Sequence, residues 1–174
     1  MTGPRASRAP TIAVVGSCNV DLVAYVARAP EAGETVLGER FVTGFGGKGA
    51  NQAVMAARLG ATVSMIGALG DDLYADTTLA NFDEQGVDRS RIARVAGSSG
   101  VAPIWVEADG TNRIIVVPGA NGLVEPEAAA RAIAELETIG VVIGQLEIPQ
   151  EATAAAFATA RARGATTVLN PAPA

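Results

Sequence analysis

Short apolar runs alternate with longer helical segments along this chain, and no other feature constrains the fold as strongly. The apolar runs are brief and rich in β-branched residues, as expected of strands buried on both faces of a sheet. They are residues 11–16, 62–67, 140–146 and 166–169. The helical segments, three of which stop at a glycine, are residues 49–59, 72–85, 126–137 and 149–163. This order predicts an α/β fold, with a doubly wound core around a mainly parallel sheet.

Four further segments mix apolar with polar positions and are joined by turns rich in glycine, proline, asparagine and aspartate. They are residues 21–26, 35–43, 101–107 and 113–117. This pattern is typical of a half-exposed antiparallel sheet, so we expect a small β lid beside the core. Residues 1–10 are expected to form a flexible leader, and the apolar run behind them is too short for a signal peptide.

The composition favours a protein that binds a small polar ligand. The 174 residues are 49% apolar and 18% charged, which suits one globular domain over residues 11–174. The net charge is −5 and the basic residues are scattered along the chain. Neither nucleic acid nor a membrane surface is therefore an expected partner.

Histidine is absent and cysteine occurs once, and both facts exclude classes of chemistry. Without histidine, neither a Ser-His-Asp triad nor a histidine-ligated metal site can form, so any metal would need oxygen ligands. Cys18 can form no internal disulfide, which favours a cytoplasmic location. Because it follows a buried apolar run, we expect a packed thiol and not a catalytic thiolate.

A glycine-rich run over residues 44–53 holds Lys48, the only lysine among thirteen basic residues. Three interpretations of this run compete. A P-loop needs Ser or Thr after the lysine, but Gly49 stands there, so this interpretation fails. A dinucleotide fingerprint matches formally, with Asp71 and Asp72 downstream, but the run follows a lid-like strand and not the opening strand. The third interpretation is a substrate turn, in which the glycines expose backbone N–H groups beside Lys48 and Asn51.

Polar residues follow several predicted strands at the point where each strand ends. Asn19 and Asp21 follow the first strand, Glu147 follows the run 140–146, and Asn170 follows the last strand. In parallel sheets, ligands bind beyond the carboxyl ends of the strands. Carboxylates, amides and an ammonium suit a ligand rich in hydroxyls, so a sugar fits better than a phosphate. Each carboxylate taken alone is better explained as a helix cap or a solvated loop residue.

Several segments together resemble the ribokinase-type (PfkB) carbohydrate kinases, and the resemblance covers nearly all of residues 11–174. The matching segments are residues 16–21, 30, 33–35, 46–53, 60, 70–72, 118–121, 145–147 and 170–174. The run Gly-Gly-Lys-Gly-Ala-Asn-Gln-Ala and the ending Asn-Pro-Ala-Pro-Ala are closer to the ribokinase branch than to fructokinases or adenosine kinases. The resemblance implies a ribokinase-like fold with a small antiparallel lid.

The resemblance also implies an activity and a set of sugar-binding residues. The activity is ATP-dependent phosphorylation of D-ribose to D-ribose 5-phosphate, with Mg2+ beside the nucleotide and a monovalent cation such as K+ as activator. The implied sugar-binding residues are Asn19, Asp21, Gly46, Gly47, Lys48, Asn51 and Glu147. The family's lid also forms a homodimer contact. An apolar wall of Ala102, Ile104 and Val116 over the sugar is equally well explained by ordinary strand packing.

The family's Gly-Ala-Gly-Asp turn does not occur in residues 1–174, and the resemblance places its Asn-x-x-Glu segment in the part of the family's sequence that follows. In the family they serve magnesium, the general base and the anion hole. We therefore expect the general base downstream of Ala174, and no catalytic, nucleotide-binding or metal-binding residue in this chain. The chain is expected to be truncated before the nucleotide-binding half and inactive alone. The alternatives are a sugar-binding or dimerising half-kinase and a product without stable function.

Overall fold

The computed structural model describes residues 11–173 of the chain. The predicted leader over residues 1–10 and Ala174, beyond which we expect the general base, lie outside the described part. The expected position of that base therefore stays a prediction.

Nine strands and four α-helices make up the described part. The strands are β1 Thr11–Val15, β2 Asn19–Val26, β3 Gly38–Gly46, β4 Thr62–Leu69, β5 Val87–Arg94, β6 Gly100–Val106, β7 Asn112–Ile114, β8 Val141–Gly144 and β9 Thr166–Leu169. The helices are α1 Lys48–Arg58, α2 Leu73–Glu84, α3 Pro126–Ala134 and α4 Gln150–Ala162, with a short 3-10 helix at Gly119–Leu123. None of these helices is both long enough and apolar enough to cross a membrane.

The larger sheet is parallel throughout and has the strand order β5-β4-β1-β8-β9. Its central strand β1 is apolar at every position after Thr11, and its residues alternate between two cores. Ala13 and Val15 pack with α3 and α4, whereas Val14 packs with α1 and α2. Helices therefore cover both faces of the sheet, which confirms the predicted doubly wound α/β fold.

The smaller sheet has the order β3-β2-β6-β7 and forms the predicted lid. The outer pairs β2–β3 and β6–β7 are antiparallel, as expected, but β2 and β6 run parallel. The reason is topological, because α1, β4, α2 and β5 intervene along the chain between β3 and β6. Parallel neighbours need such a crossover, whereas the antiparallel pairs need only a short connection.

The sequence interpretation did not assign β5, although this strand forms one edge of the larger sheet. Its sequence VDRSRIAR contains no apolar run, and Asp88, Arg89 and Ser90 are exposed. Charged side chains on an edge strand discourage pairing with another chain. The pattern that identifies central parallel strands is therefore missing from this one. At the opposite edge, Val168 and Leu169 of β9 are 45% and 48% exposed.

Candidate functional site

A glycine turn joins lid strand β3 to helix α1 beside the carboxyl end of β1. Gly47 has φ +88, and a Cβ there would lie 2.8 Å from the Asn19 nitrogen and 2.8 Å from the Ser17 oxygen. Both the backbone angle and the close approach thus require glycine. The turn places the first residues of α1 against Ser17, which follows β1.

The N–H groups at the start of α1 already have partners within the protein. Lys48 N–H donates to Glu147 Oε2 at 2.8 Å. Gly49 N–H donates to Ser17 Oγ at 3.3 Å, and Ala50 N–H donates to the Ser17 carbonyl oxygen at 2.9 Å. A phosphate usually binds at a helix start through these groups, but here a carboxylate occupies the position. The start of α1 is therefore not a phosphate cradle, in agreement with the rejection of the P-loop.

Asp72, the acidic residue that the dinucleotide interpretation would place on a ribose, has a structural role instead. Its Oδ1 accepts the Ala75 N–H at 2.9 Å, and thus caps α2. Its two oxygens also accept the Ser99 hydroxyl and N–H, each at 2.7 Å. These bonds account for Asp72 without a ligand, whereas Asp71, the other acidic residue of the dinucleotide interpretation, is exposed.

Glu147 joins three elements at the centre of the site. Ser17 Oγ donates to Glu147 Oε2 at 2.6 Å, and Lys48 Nζ lies 3.1 Å from Glu147 Oε1. Burial raises the pKa of this carboxyl, but the hydrogen bonds from Ser17 and Lys48 outweigh burial and hold the pKa below its usual value. Glu147 is therefore ionised, and it connects the ends of β1 and β8 to the start of α1.

Asp21 lies on β2, and its carboxylate receives no hydrogen bond from any residue within 11–173. A Cβ at Gly46 would lie 2.6 Å from Asp21 Oδ2, so the adjacent strand approaches this carboxylate closely. Burial and the nearby Glu147 charge raise the pKa of Asp21. A half-buried carboxylate without a donor is a strong acceptor for an external hydroxyl.

Asn19 and Glu147 line one cavity of about 370 Å3 at the junction of the lid and the core. Asn19 is only 5% exposed, and its Oδ1 accepts a hydrogen bond from Asn121 Nδ2 at 2.7 Å. Asn121 and Ser17 contribute to the site, although the sequence interpretation gave neither of them a role. Within a turn sequence, an asparagine or a serine is ordinary, so composition offered no signal. The remaining lining residues of the cavity are Val116, Pro118, Asn121, Gly122, Leu146, Ile148, Pro149 and Pro173.

Asn51 lies on α1 but faces a different part of the surface. Its side chain is exposed and lines a separate cavity of about 250 Å3 together with Phe45 and Arg58. Within residues 11–173 its side chain makes no hydrogen bond to the other candidate residues. Its contact with a sugar stays a prediction.

Strand register places two of the three apolar wall candidates, Ala102 and Ile104, on the face of the lid that carries Asp21. Ala102 is the register partner of Asp21, and Ile104 is the partner of Val23 two residues further along β2. Val116 lines the cavity beside Asn19. Register partners share a face, so the side chains of Ala102 and Ile104 and the Asp21 carboxylate face the same side of the small sheet. An apolar surface next to a carboxylate suits the C–H face and the hydroxyls of a sugar.

The fold and the site together define a class of protein: an α/β domain with a small β lid, whose polar residues suit a polyhydroxylated ligand. The family model of pfkB family carbohydrate kinases matches residues 9–174. The chain belongs to the pfkB family of carbohydrate kinases. This result confirms the resemblance found in the sequence.

Individual relatives and solved structures agree with the family. A Bacillus subtilis ribokinase is 46% identical over 164 residues, covering 94% of this chain and 56% of its own length. A Salmonella typhi deoxyribokinase is 42% identical over 164 residues, with 94% and 54% coverage. An Arabidopsis thaliana ribokinase solved with ribose and ATP aligns with a TM-score of 0.82 at 30% identity, covering 95% of this chain and 54% of its own. The chain thus spans about half the length of the curated relatives that it matches.

Proposed function

We propose that this chain forms the sugar-binding half of a ribokinase-type kinase that uses ATP to convert D-ribose to D-ribose 5-phosphate. The observation that carries the proposal is the Asp21 carboxylate, which is half-buried, has a raised pKa and accepts no hydrogen bond within residues 11–173. Sugar hydroxyls would supply the missing donors. The names of the ribokinase and deoxyribokinase relatives support a pentose as the substrate.

Each proposed sugar-binding residue has a distinct role in holding the ligand. Asp21 accepts hydroxyl protons, and Asn19 adds an amide beside it. Gly46 and Gly47 let the sugar approach the backbone, because neither carries a side chain. Glu147 holds Lys48 in place, and both border the ligand. Asn51 lines a separate cavity, so its side chain would have to change direction to reach the sugar.

The phosphate donor is proposed to bind to residues outside this chain. The N–H groups at the start of α1 are occupied, and residues 11–173 contain no group of three or more acidic or cysteine side chains that could hold a metal ion. We propose that ATP with Mg2+, and the activating K+, are held by residues outside 11–173. Since phosphoryl transfer depends on charge stabilisation at the phosphate, we propose that the chain alone does not catalyse it and that the general base lies downstream of Ala174.

A second candidate function is a sugar-binding or dimerising half-kinase. The observation that favours it is the lid face opposite Asp21, where Phe41 and Ile115 are 62% and 53% exposed. Exposed apolar patches of this kind commonly mark protein interfaces. A homodimer through the lid, in the cytoplasm, is compatible with both candidates. Sedimentation of the chain with and without Phe41→Ser tests the dimer.

Two measurements on the 174-residue chain test the proposal. Calorimetry with D-ribose and with 2-deoxy-D-ribose should give saturable heat that Asp21→Asn abolishes, with D-arabinose as a stereochemical control. An ATP-coupled assay should give no ribose phosphorylation. Saturable binding without turnover supports the sugar-binding half, whereas turnover would contradict the proposed absence of a donor site. No saturable heat with any pentose would refute the sugar site.

A further inference from the structure

Two asparagines that are distant in sequence meet beside the cavity. Asn121 is 1% exposed and Asn19 is 5% exposed, and Asn121 Nδ2 lies 2.7 Å from Asn19 Oδ1. Asn121 also forms two hydrogen bonds with the main chain of Cys18, one to its N–H at 2.8 Å and one to its carbonyl oxygen at 3.1 Å. Its side chain therefore pairs with Cys18 as a neighbouring strand would.

The hydrogen bonds to the Cys18 main chain determine which atom of each asparagine side chain is the oxygen and which is the nitrogen. A backbone N–H can only donate, so the Asn121 atom 2.8 Å from the Cys18 nitrogen must be the amide oxygen. The other Asn121 atom is then Nδ2, which can only donate, so the Asn19 atom in contact with it must be Oδ1. Consequently Asn19 retains Nδ2, which makes no hydrogen bond within residues 11–173.

Gly100 permits the contact between Asn19 and Asn121, because it has no side chain. A Cβ on Gly100 would lie 2.9 Å from the Cys18 carbonyl oxygen and would overlap both Asn121 Nδ2 and Asn19 Oδ1. Any larger residue would therefore separate the two amides. The contacts among Cys18, Asn121 and Gly100 therefore allow the Asn19 amide one orientation. If this amide turned over, its Nδ2 would face Asn121 Nδ2, and two donors would meet without an acceptor.

We propose that Asn121 is a positioning residue, which orients Asn19 so that Asn19 presents Nδ2, a hydrogen-bond donor, to the ligand cavity. The inference rests on the proposed sugar-binding function. It predicts a site with a fixed donor at Asn19 and an acceptor at Asp21. Sugar hydroxyls can meet both requirements, because each accepts through its oxygen and donates through its proton.

A double-mutant cycle tests whether Asn121 acts through Asn19. In Asn121→Asp the Cys18 N–H keeps an acceptor, but the new carboxylate cannot donate to Asn19, so Asn19 turns its oxygen towards the cavity. We expect Asn121→Asp and Asn19→Ala each to weaken D-ribose binding about tenfold, the loss of roughly one hydrogen bond. The double variant should bind no more weakly than Asn19→Ala. Additive losses would overturn the proposal, since they would show that Asn121 acts independently of Asn19.

A measurement on the unaltered chain covers the case in which Asn121→Asp does not fold. In 15N-labelled protein without sugar, the side-chain amide protons of Asn121 should be protected from solvent exchange, and those of Asn19 should exchange faster. The reverse pattern would overturn the proposed orientation. Absence of ribose binding by the unaltered chain would count against the proposed function, whereas the exchange pattern decides the orientation by itself.

Discussion

Glu147 contacts Lys48 at both ends, because Oε2 accepts its main-chain N–H at 2.8 Å and Oε1 lies 3.1 Å from its Nζ. A glutamine at position 147 keeps only one acceptor oxygen and has no charge. We therefore expect Glu147→Gln to lower the free energy of unfolding by about 1–3 kcal/mol at pH 7, as measured by urea titration.

The matched control for Glu147→Gln is Asp76→Asn, which breaks the Arg94–Asp76 ion pair. Arg94 Nη1 lies 2.8 Å from Asp76 Oδ1, but the side chains of Arg94 and Asp76 are 40% and 68% exposed. The expected loss is at most about 1 kcal/mol, because exposed pairs contribute little. The pKa of Glu147 is lowered in the folded state. The contribution of Glu147 to the free energy of unfolding should therefore disappear as the pH falls below 4.5, the usual pKa of a glutamate. Equal losses for the two variants at pH 7 would contradict the bridging role of Glu147.

Asp21 should destabilise the folded chain at neutral pH. Its pKa is raised above 3.8, so the folded state binds the proton more tightly, and the free energy of unfolding falls as pH rises through this range. We expect Asp21→Asn to raise the melting temperature at pH 7, and the gain to vanish at pH 3. Asp109→Asn is the control of opposite sign, because the Thr111 N–H lowers the pKa of Asp109. A lower melting temperature for Asp21→Asn at pH 7 would be the contrary result.

Gly46→Ala should impair sugar binding without a large loss of stability. A methyl group there would lie 2.6 Å from Asp21 Oδ2 and displace the carboxylate. The control is Gly44→Ala on the same strand, whose methyl group would lie 3.9 Å from Asp21 Cβ, an ordinary contact. Calorimetry with D-ribose should show a Kd at least tenfold higher for Gly46→Ala, which is a loss of roughly 1.4 kcal/mol of binding free energy. Gly44→Ala should change the Kd little. Similar affinities for the two variants would remove Asp21 from the ligand contact.

Cys18 should be unreactive in the folded chain. It is fully buried, and burial raises the pKa of its thiol to about 12. A thiol-specific chromogenic reagent should therefore modify no thiol under native conditions and the one cysteine of each chain in denaturant. Rapid labelling of the native chain would show that the junction of β1 and β2 opens readily.

The central strands of the sheet were predictable because parallel strands buried on both faces leave continuous apolar runs. β1, β4 and β8 each carry this signal. β5 does not, because its charges belong to an exposed edge, and a single sequence does not distinguish such an edge from a loop. The parallel pairing of β2 with β6 was also missed, because pairing depends on the path of the chain between the strands.

The site was predictable to the extent that it follows from strand ends. The rule that ligands bind beyond the carboxyl ends of strands brought Lys48 and Glu147 into one candidate site, and the structure joins them by an ion pair. Asn121 was not recognised, because its role depends on contacts with residues about a hundred positions earlier. The direction of the Asn51 side chain was equally unpredictable from the sequence, since it depends on how α1 packs against the sheet.

The lid strands carry site residues of their own, because β2 contains Asp21 and β3 ends at Gly46. The lid is therefore not a cover over a finished pocket, since it contributes part of the candidate site itself. Any rigid rotation of the small sheet would change the separation between Asp21 and Glu147, which remains on the core after β8. A ligand held by both carboxylates would therefore fix the small sheet against the core, and we expect a probe on the small sheet to report the binding of such a ligand.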